Sequence, residues 1–150
     1  MHDLIMSPLT IWRMLWTGWF ALVIFATTTP WWKFDGSPHW ESIRWIPFAD
    51  LTWSEGDLIE TAANLLLFVP LGYLTVRATW AEHTSPLMMA GTVALICSVG
   101  AEVYEIFCEA RVPSTTDISV NVAGSLIGAL AAVAVDRALG FFALSLRSSH

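Results

Sequence analysis

Charge is scarce in this chain. Of 150 residues only 13% are Asp, Glu, Lys or Arg, about half the share of an ordinary soluble domain. So few charges cannot cover the surface of a water-soluble domain of this size, which all but excludes that class. Bases are scarcer still: seven Lys and Arg stand against thirteen Asp and Glu, for a net charge of -6. None of the bases cluster, so nothing here neutralises a phosphate backbone and nucleic acid is excluded as a partner. Only two cysteines occur, Cys97 and Cys108. They fall on one expected helix roughly 16 Å apart along its axis, too far for a disulfide within the chain. The four histidines, His2, His39, His83 and His150, are scattered and none has metal-ligand spacing to a cysteine. No metal, nucleotide signature or other cofactor is expected. The alternating pattern of a lipid-facing strand is missing, which argues against a closed barrel. Ahead of the first apolar run stand Asp3 and no lysine, and Ala26-Thr27-Thr28-Thr29 is a poor cleavage site. That run is therefore expected to stay as an anchor.

What the chain does have is apolar residues, 55% of the total, and nine tryptophans. Four stretches are long enough to cross roughly 30 Å of hydrocarbon as helices: residues 9–29, 59–76, 86–107 and 118–139. The expected fold is an all-α integral membrane bundle of about four transmembrane helices, forming a single membrane domain over residues 1–150. Short links make consecutive helices antiparallel neighbours. Positive residues in the flanks favour both termini inside, by Arg13, Arg77, Arg137 and Arg147 against Lys33, Arg44 and Arg111. In that orientation ten of the thirteen acids face out.

The long connection, residues 30–58, holds five tryptophans and three prolines among alternating charges. That composition suits a segment lying at the headgroup level. Trp40 to Trp45 is expected to form one helical turn, with Arg44 covering the Trp40 ring. The segment reads either as an interfacial anchor or as a lid over a site on the outer face.

Polar residues inside apolar helices are informative because they cost energy where they sit. Asn64 follows Glu60 by one turn in the second helix, and Pro70 and Gly72 are expected to loosen that helix near its middle. In the third helix Glu102, Glu105 and Glu109 share a face at spacings of three and four. Arg111 is the only base close enough in sequence to pair with them. Ser114 to Asp117 reads as the capped start of the fourth helix, and Asn121 lies one turn beyond Asp117 on the same face. Antiparallel packing brings these groups into one outer cluster. Glu102, Glu105 and Asp117 are its candidate catalytic acids, since crowded carboxylates let one act as acid while a neighbour acts as base. Arg111, Asn121 and Asn64 are its candidate substrate-binding groups. The bland reading makes the same residues interhelical glue. Gly124 and Gly128, extended by Ala132, form a small-residue face for close helix packing, a role shared with Pro70 and Gly72.

Three stretches carry a family resemblance in their order and spacing. They are IRWIPF from Ile43 to Phe48, NLLLFVPLGYL from Asn64 to Leu74, and E-x8-R-x5-D-x3-N-x2-G-x3-G from Glu102 to Gly128. Together they resemble the VanZ family of small bacterial membrane proteins over about residues 43–139. The resemblance implies a multi-pass protein of the bacterial cytoplasmic membrane, in a family associated with lowered susceptibility to glycopeptide antibiotics such as teicoplanin. Its polar signature falls on Asn64, Glu102, Arg111, Asp117 and Asn121. Family members usually carry glutamine three residues after the first glutamate, and Glu105 stands there in this chain.

Two functions compete. One is a cell-envelope protein that binds or modifies a lipid-linked or cell-wall glycan group at the outward polar cluster, with membrane lipids and a lipid-linked cell-wall precursor as partners. The other is a non-enzymatic accessory subunit that docks other membrane-protein subunits through Gly124 to Gly128. A proton-coupled transporter ranks below both, because helices two and three place no acid or base in their inner halves.

Overall fold

A computed structural model describes residues 7–49, 54–79, 85–109 and 111–148, with side chains described through Gly140. Four helices follow one another: α1 Pro8–Thr28, α2 Glu55–Ala78, α3 Pro86–Glu105 and α4 Thr115–Ser148. Each is long and apolar enough to cross a membrane. Their starts follow local chemistry. Ser7 accepts from Thr10 N at 3.2 Å just before Pro8, and Ser54 accepts from Asp57 N at 3.2 Å ahead of a first turn holding Glu55 and Asp57. Hydroxyl caps and acids of this kind satisfy free N–H groups and suit the positive end of the helix dipole.

The helix ends differ from the hydropathy windows in instructive ways. α2 starts four residues before the expected Ile59, because its first turn is polar and capped rather than apolar. α4 runs nine residues past Leu139; at 1.5 Å per residue its 34 residues span about 51 Å, more than the hydrocarbon requires. α3 stops at Glu105 rather than Phe107. Cys108 therefore leaves the helix and lies opposite Phe34 in an isolated bridge, so the two cysteines do not share a helix, although both are free and buried. Glu109 leaves it too and is exposed, which removes it from the expected face with Glu102 and Glu105.

α2 packs most extensively against α4. At its tightest the contact is made by backbone. A Cβ on Gly72 would stand 1.8 Å from Ser125 O, one on Gly128 1.8 Å from Val69 O, and one on Gly124 2.5 Å from Leu65 O. Gly72 thus serves packing and does not loosen α2, which continues unbroken through Pro70. The Gly124 to Gly128 face expected to dock another subunit is occupied by the chain's own α2. α3 joins through small buried residues, Ala90, Ala94 and Ala101, and through Ser125 Oγ donating to Ala90 O at 3.0 Å.

α1 is held mainly by two indoles. Trp16 Nε1 donates to Thr75 Oγ1 and Trp19 Nε1 to Leu67 O, each at 2.9 Å, while Val23 enters a core with Phe68, Leu71, Ala94 and Cys97. Such bonds fix an amphipathic ring where hydrocarbon offers no other partner. At the end of the bundle near the start of α1, Arg77 pairs with Asp136 and lies over the rings of Trp12 and Tyr73. Asp136 is thus one half of an interhelical pair.

The connection from Pro30 lies across the opposite end. Asp35 N donates to Phe107 O at 3.1 Å, His39 N to Ile106 O at 2.9 Å, and Arg44 N to Pro113 O at 2.9 Å, while Thr115 N returns a bond to Arg44 O at 3.1 Å. Phe34 stacks on Tyr104. Instead of a helical turn over Trp40 to Trp45, a short 3-10 turn covers Trp40–Ser42, and Arg44 bridges to Ser114. Trp31, Trp32, Trp40 and Trp45 remain exposed, as an interfacial belt requires.

The backbone contact makes a sharp prediction. Gly128→Ala must push α2 and α4 apart and should cost about 1–3 kcal/mol or more, as overpacking does. Gly100→Ala, where an added Cβ meets nothing within 4 Å, should stay within about 0.5 kcal/mol. Thermal melts of both variants in mild detergent provide the comparison; equal melting would remove the close α2–α4 approach from the account.

Candidate functional site

The end of the bundle under the connection holds a half-open cavity of about 260 Å³, slightly below the usual range for small-molecule sites. Four segments build its walls. α2 contributes Asp57, Glu60 and Thr61; the end of α3 contributes Glu105; the link and the start of α4 contribute Arg111, Val112, Ser114, Thr116 and Asp117; the connection contributes Arg44 and Ile46. The capped start of α2 sets its acids on this wall, since Asp57, Glu60 and Thr61 recur at spacings of three and four.

Each expected acid has a defined place. Glu105, 3% exposed, accepts from Arg111 Nε at 2.7 Å and is also met by Arg111 Nη2. Arg111 lies outside the helices. Burial opposes its charge, but the adjoining Glu105 carboxylate prevails and holds the guanidinium above its ordinary pKa. Asp117 Oδ1 accepts from Asn64 Nδ2 at 3.0 Å, a bond that joins α2 to α4. Glu102 does not line the cavity. It is buried beneath, where its Oε2 accepts from Ser114 N at 2.5 Å and anchors the start of α4 to α3.

Asn121 also lies below the cavity. Its Nδ2 donates to Ser98 Oγ at 2.8 Å, while its buried Oδ1 has no hydrogen-bond partner among the described residues, a state that costs about 1–3 kcal/mol. The expected cluster therefore separates into two layers: Glu105, Arg111 and Asp117 line the cavity with Asn64 behind Asp117, and Glu102 and Asn121 join α3 to α4 underneath.

The remaining hydrogen bonds narrow what the cavity can offer a ligand. The first N–H groups of α4 are all spent within the chain: Thr115 N on Arg44 O, Thr116 N on Ser114 Oγ, and Asp117 N and Ile118 N on Ser114 O. The helix start is therefore not an open anion site, and recognition falls to side chains. Among the described residues no group of three or more His, Cys, Asp and Glu side chains is placed to hold a metal ion.

This arrangement unites the three stretches singled out in the sequence: Arg44 and Ile46 from the first, Asn64 from the second, and Glu102 through Asn121 from the third. A family model described as VanZ/LLP1 matches residues 13–136. The chain belongs to the VanZ/LLP1 family. No curated protein and no solved structure matches it.

The VanZ/LLP1 match begins at Arg13, whose Nε donates to Ala78 O at 3.5 Å, and ends at Asp136, the partner of Arg77. Both contacts lie at the end of the bundle opposite the cavity. Sequence spacing named Arg111 as the sole base for the acids. The structure adds Arg44, delivered from about 70 residues earlier by the bonds between the connection and the start of α4. Asp57 and Thr61 were also missed; their spacing with Glu60 on a capped helix start was the available signal.

Removing Arg111 strands a buried carboxylate, which defines a double-mutant test. Arg111→Ala should destabilise the protein by about 3 kcal/mol, because the lost partner leaves Glu105 uncompensated. Adding Glu105→Gln should restore most of that loss. Equilibrium unfolding in detergent gives the cycle, and an equally unstable double variant would show that the pair does not carry the cost.

Proposed function

We propose that this VanZ/LLP1 protein binds a lipid-linked or cell-wall glycan group in the charged cavity, on the outer face of a bacterial cytoplasmic membrane. The observation that carries this reading is a cavity lined by Arg44, Arg111, Asp57, Glu60, Glu105 and Asp117 at the end of an otherwise apolar bundle. Charges so placed are expensive unless water or a polar ligand meets them. The exposed tryptophans of the connection suit the headgroup layer beside the cavity mouth. The wider distribution of bases supports both termini inside, since Arg13, Arg77 and Arg137 lie toward the opposite end.

Binding is better supported than chemistry. Glu105 and Asp117 are each held by a partner, which suits fixed recognition groups; any acid–base step would fall to them with Glu60 nearby. The competing role as an accessory subunit loses its docking face, because Gly124 and Gly128 are filled by α2.

Expression in a glycopeptide-sensitive bacterium tests the proposal. The parent should raise teicoplanin tolerance and alter precursor lipids. An Arg111→Ala, Asp117→Ala variant, matched for membrane abundance, should return both to the empty-vector level. Equal tolerance and equal lipid profiles in parent and variant would overturn the reading.

A further inference from the structure

Part of the cavity wall hangs on a strained turn. Ile46, both exposed and lining the cavity, stands at its mouth and begins a turn that Ala49 N closes by donating to Ile46 O at 3.4 Å. Pro47 takes the second position of that turn, and Phe48 takes the third with φ 62°, the pattern of a type II turn. The third position ordinarily falls to glycine, because a side chain there is held in the left-handed region. Among the described residues Phe48 is the one residue other than glycine with a positive φ. It is 51% exposed, so packing of its ring inside the protein does little to offset the strain.

Two threonines at the start of α4 pin this turn unequally. Thr115 holds the approach to it: its Oγ1 donates to Trp45 O at 2.9 Å and Arg44 O at 3.1 Å, beside the backbone bonds that tie Arg44 to Pro113 and Thr115. Beyond Trp45 the turn makes a single long-range hydrogen bond among the described residues, from Phe48 N to Thr116 Oγ1 at 2.8 Å. Thr116 itself lines the cavity. A strained residue persists only where its surroundings hold it, and such residues cluster at ligand clamps and switches. Breaking one bond therefore lets Phe48 relax and frees Ile46, while the bonds at Arg44 and Trp45 keep the approach in place. The cavity as it stands, about 260 Å³, is slightly below the usual small-molecule range, so a glycan group gains room when this wall gives way.

We propose that the turn from Ile46 to Ala49 is a strap across the cavity mouth, closed by the bond from Phe48 N to Thr116 Oγ1 and opened for ligand entry when that bond breaks. The proposal rests on the reading of this cavity as the binding site and adds how the site is entered. Opening carries Ile46 off the wall as Phe48 returns to a negative φ, and closing restores the left-handed turn.

Maleimide labelling of the purified full chain in mild detergent tests the strap. The parent for the series carries Thr61→Cys, a cavity position on α2, and peptide mass spectrometry reads which cysteines react. Adding Thr116→Val, which keeps the shape and loses the acceptor, should speed the reaction at position 61 by about threefold or more, as loss of one hydrogen bond would. Thr116→Ser, which keeps the hydroxyl, should react at the parent rate. Phe48→Gly, which holds a positive φ without strain, should slow the reaction. The buried Cys97 and Cys108 should stay unlabelled throughout. An unchanged rate in Thr116→Val, a rate in Phe48→Gly at or above the parent's, or labelling of the buried cysteines in step with position 61 overturns the strap. If teicoplanin tolerance still depends on Arg111 and Asp117 after such a result, the strap fails and the proposed function stands; loss of that dependence while the labelling rates behave as expected defeats the function alone.

Discussion

Gly72, Gly124 and Gly128 let the backbones of α2 and α4 touch, and the charged end of the molecule depends on that contact. Between apolar helices in lipid there is little hydrophobic drive to associate, so close van der Waals packing and interhelical hydrogen bonds must hold them. The glycines supply the approach. Asn64 and Asp117 then meet at 3.0 Å, two turns before Gly72 on α2 and two turns before Gly124 on α4, and Asp57 and Glu60 are carried onto the same wall. The cavity lies beyond this contact, lined by the starts of both helices.

A second set of constraints acts on the other side. Glu102 ties the start of α4 to α3 through Ser114 N, and the connection ties itself to the same residues through Arg44. Ser114 therefore receives α3 from below and the connection from above. One short segment fixes three walls, which explains how charges from four parts of the chain converge. The opposite end uses a simpler device, one interhelical pair of Arg77 and Asp136 beside the rings of Trp12 and Tyr73. The two ends divide the labour: one closes the bundle, and the other keeps polar groups facing a space.

Much of this was legible in the sequence because hydrophobic length and the cost of buried charge are local properties. Four apolar runs announced four helices, and Glu102, Glu105, Arg111, Asp117 and Asn121 stood out by their placement in or beside them. The layering of those residues was not legible. Whether Glu102 faces a cavity or a backbone N–H depends on the angle at which α4 leaves the link, which spacing does not encode. Arg44 was hidden for another reason: its place follows from long-range backbone bonds to Pro113 and Thr115, while its neighbourhood in the chain suggested only a tryptophan to cover. Gly124 and Gly128 announced a close contact but not its partner, since a small-residue face reads alike for a helix of the same chain and for another subunit. Glu105 is answered by Arg111 in an ion pair that a neutral residue would not form.

The central proposal is that the cavity at the end of the α2–α4 contact opens to water on the outer side of the membrane. Cysteine labelling in intact cells tests it most directly. Thr61 lines the cavity from α2, and the native Cys97 and Cys108 are buried, so the parent sets a low background. The account predicts that Thr61→Cys reacts with a membrane-impermeant maleimide added outside intact cells. Protection of Thr61→Cys until the cells are permeabilised would contradict it.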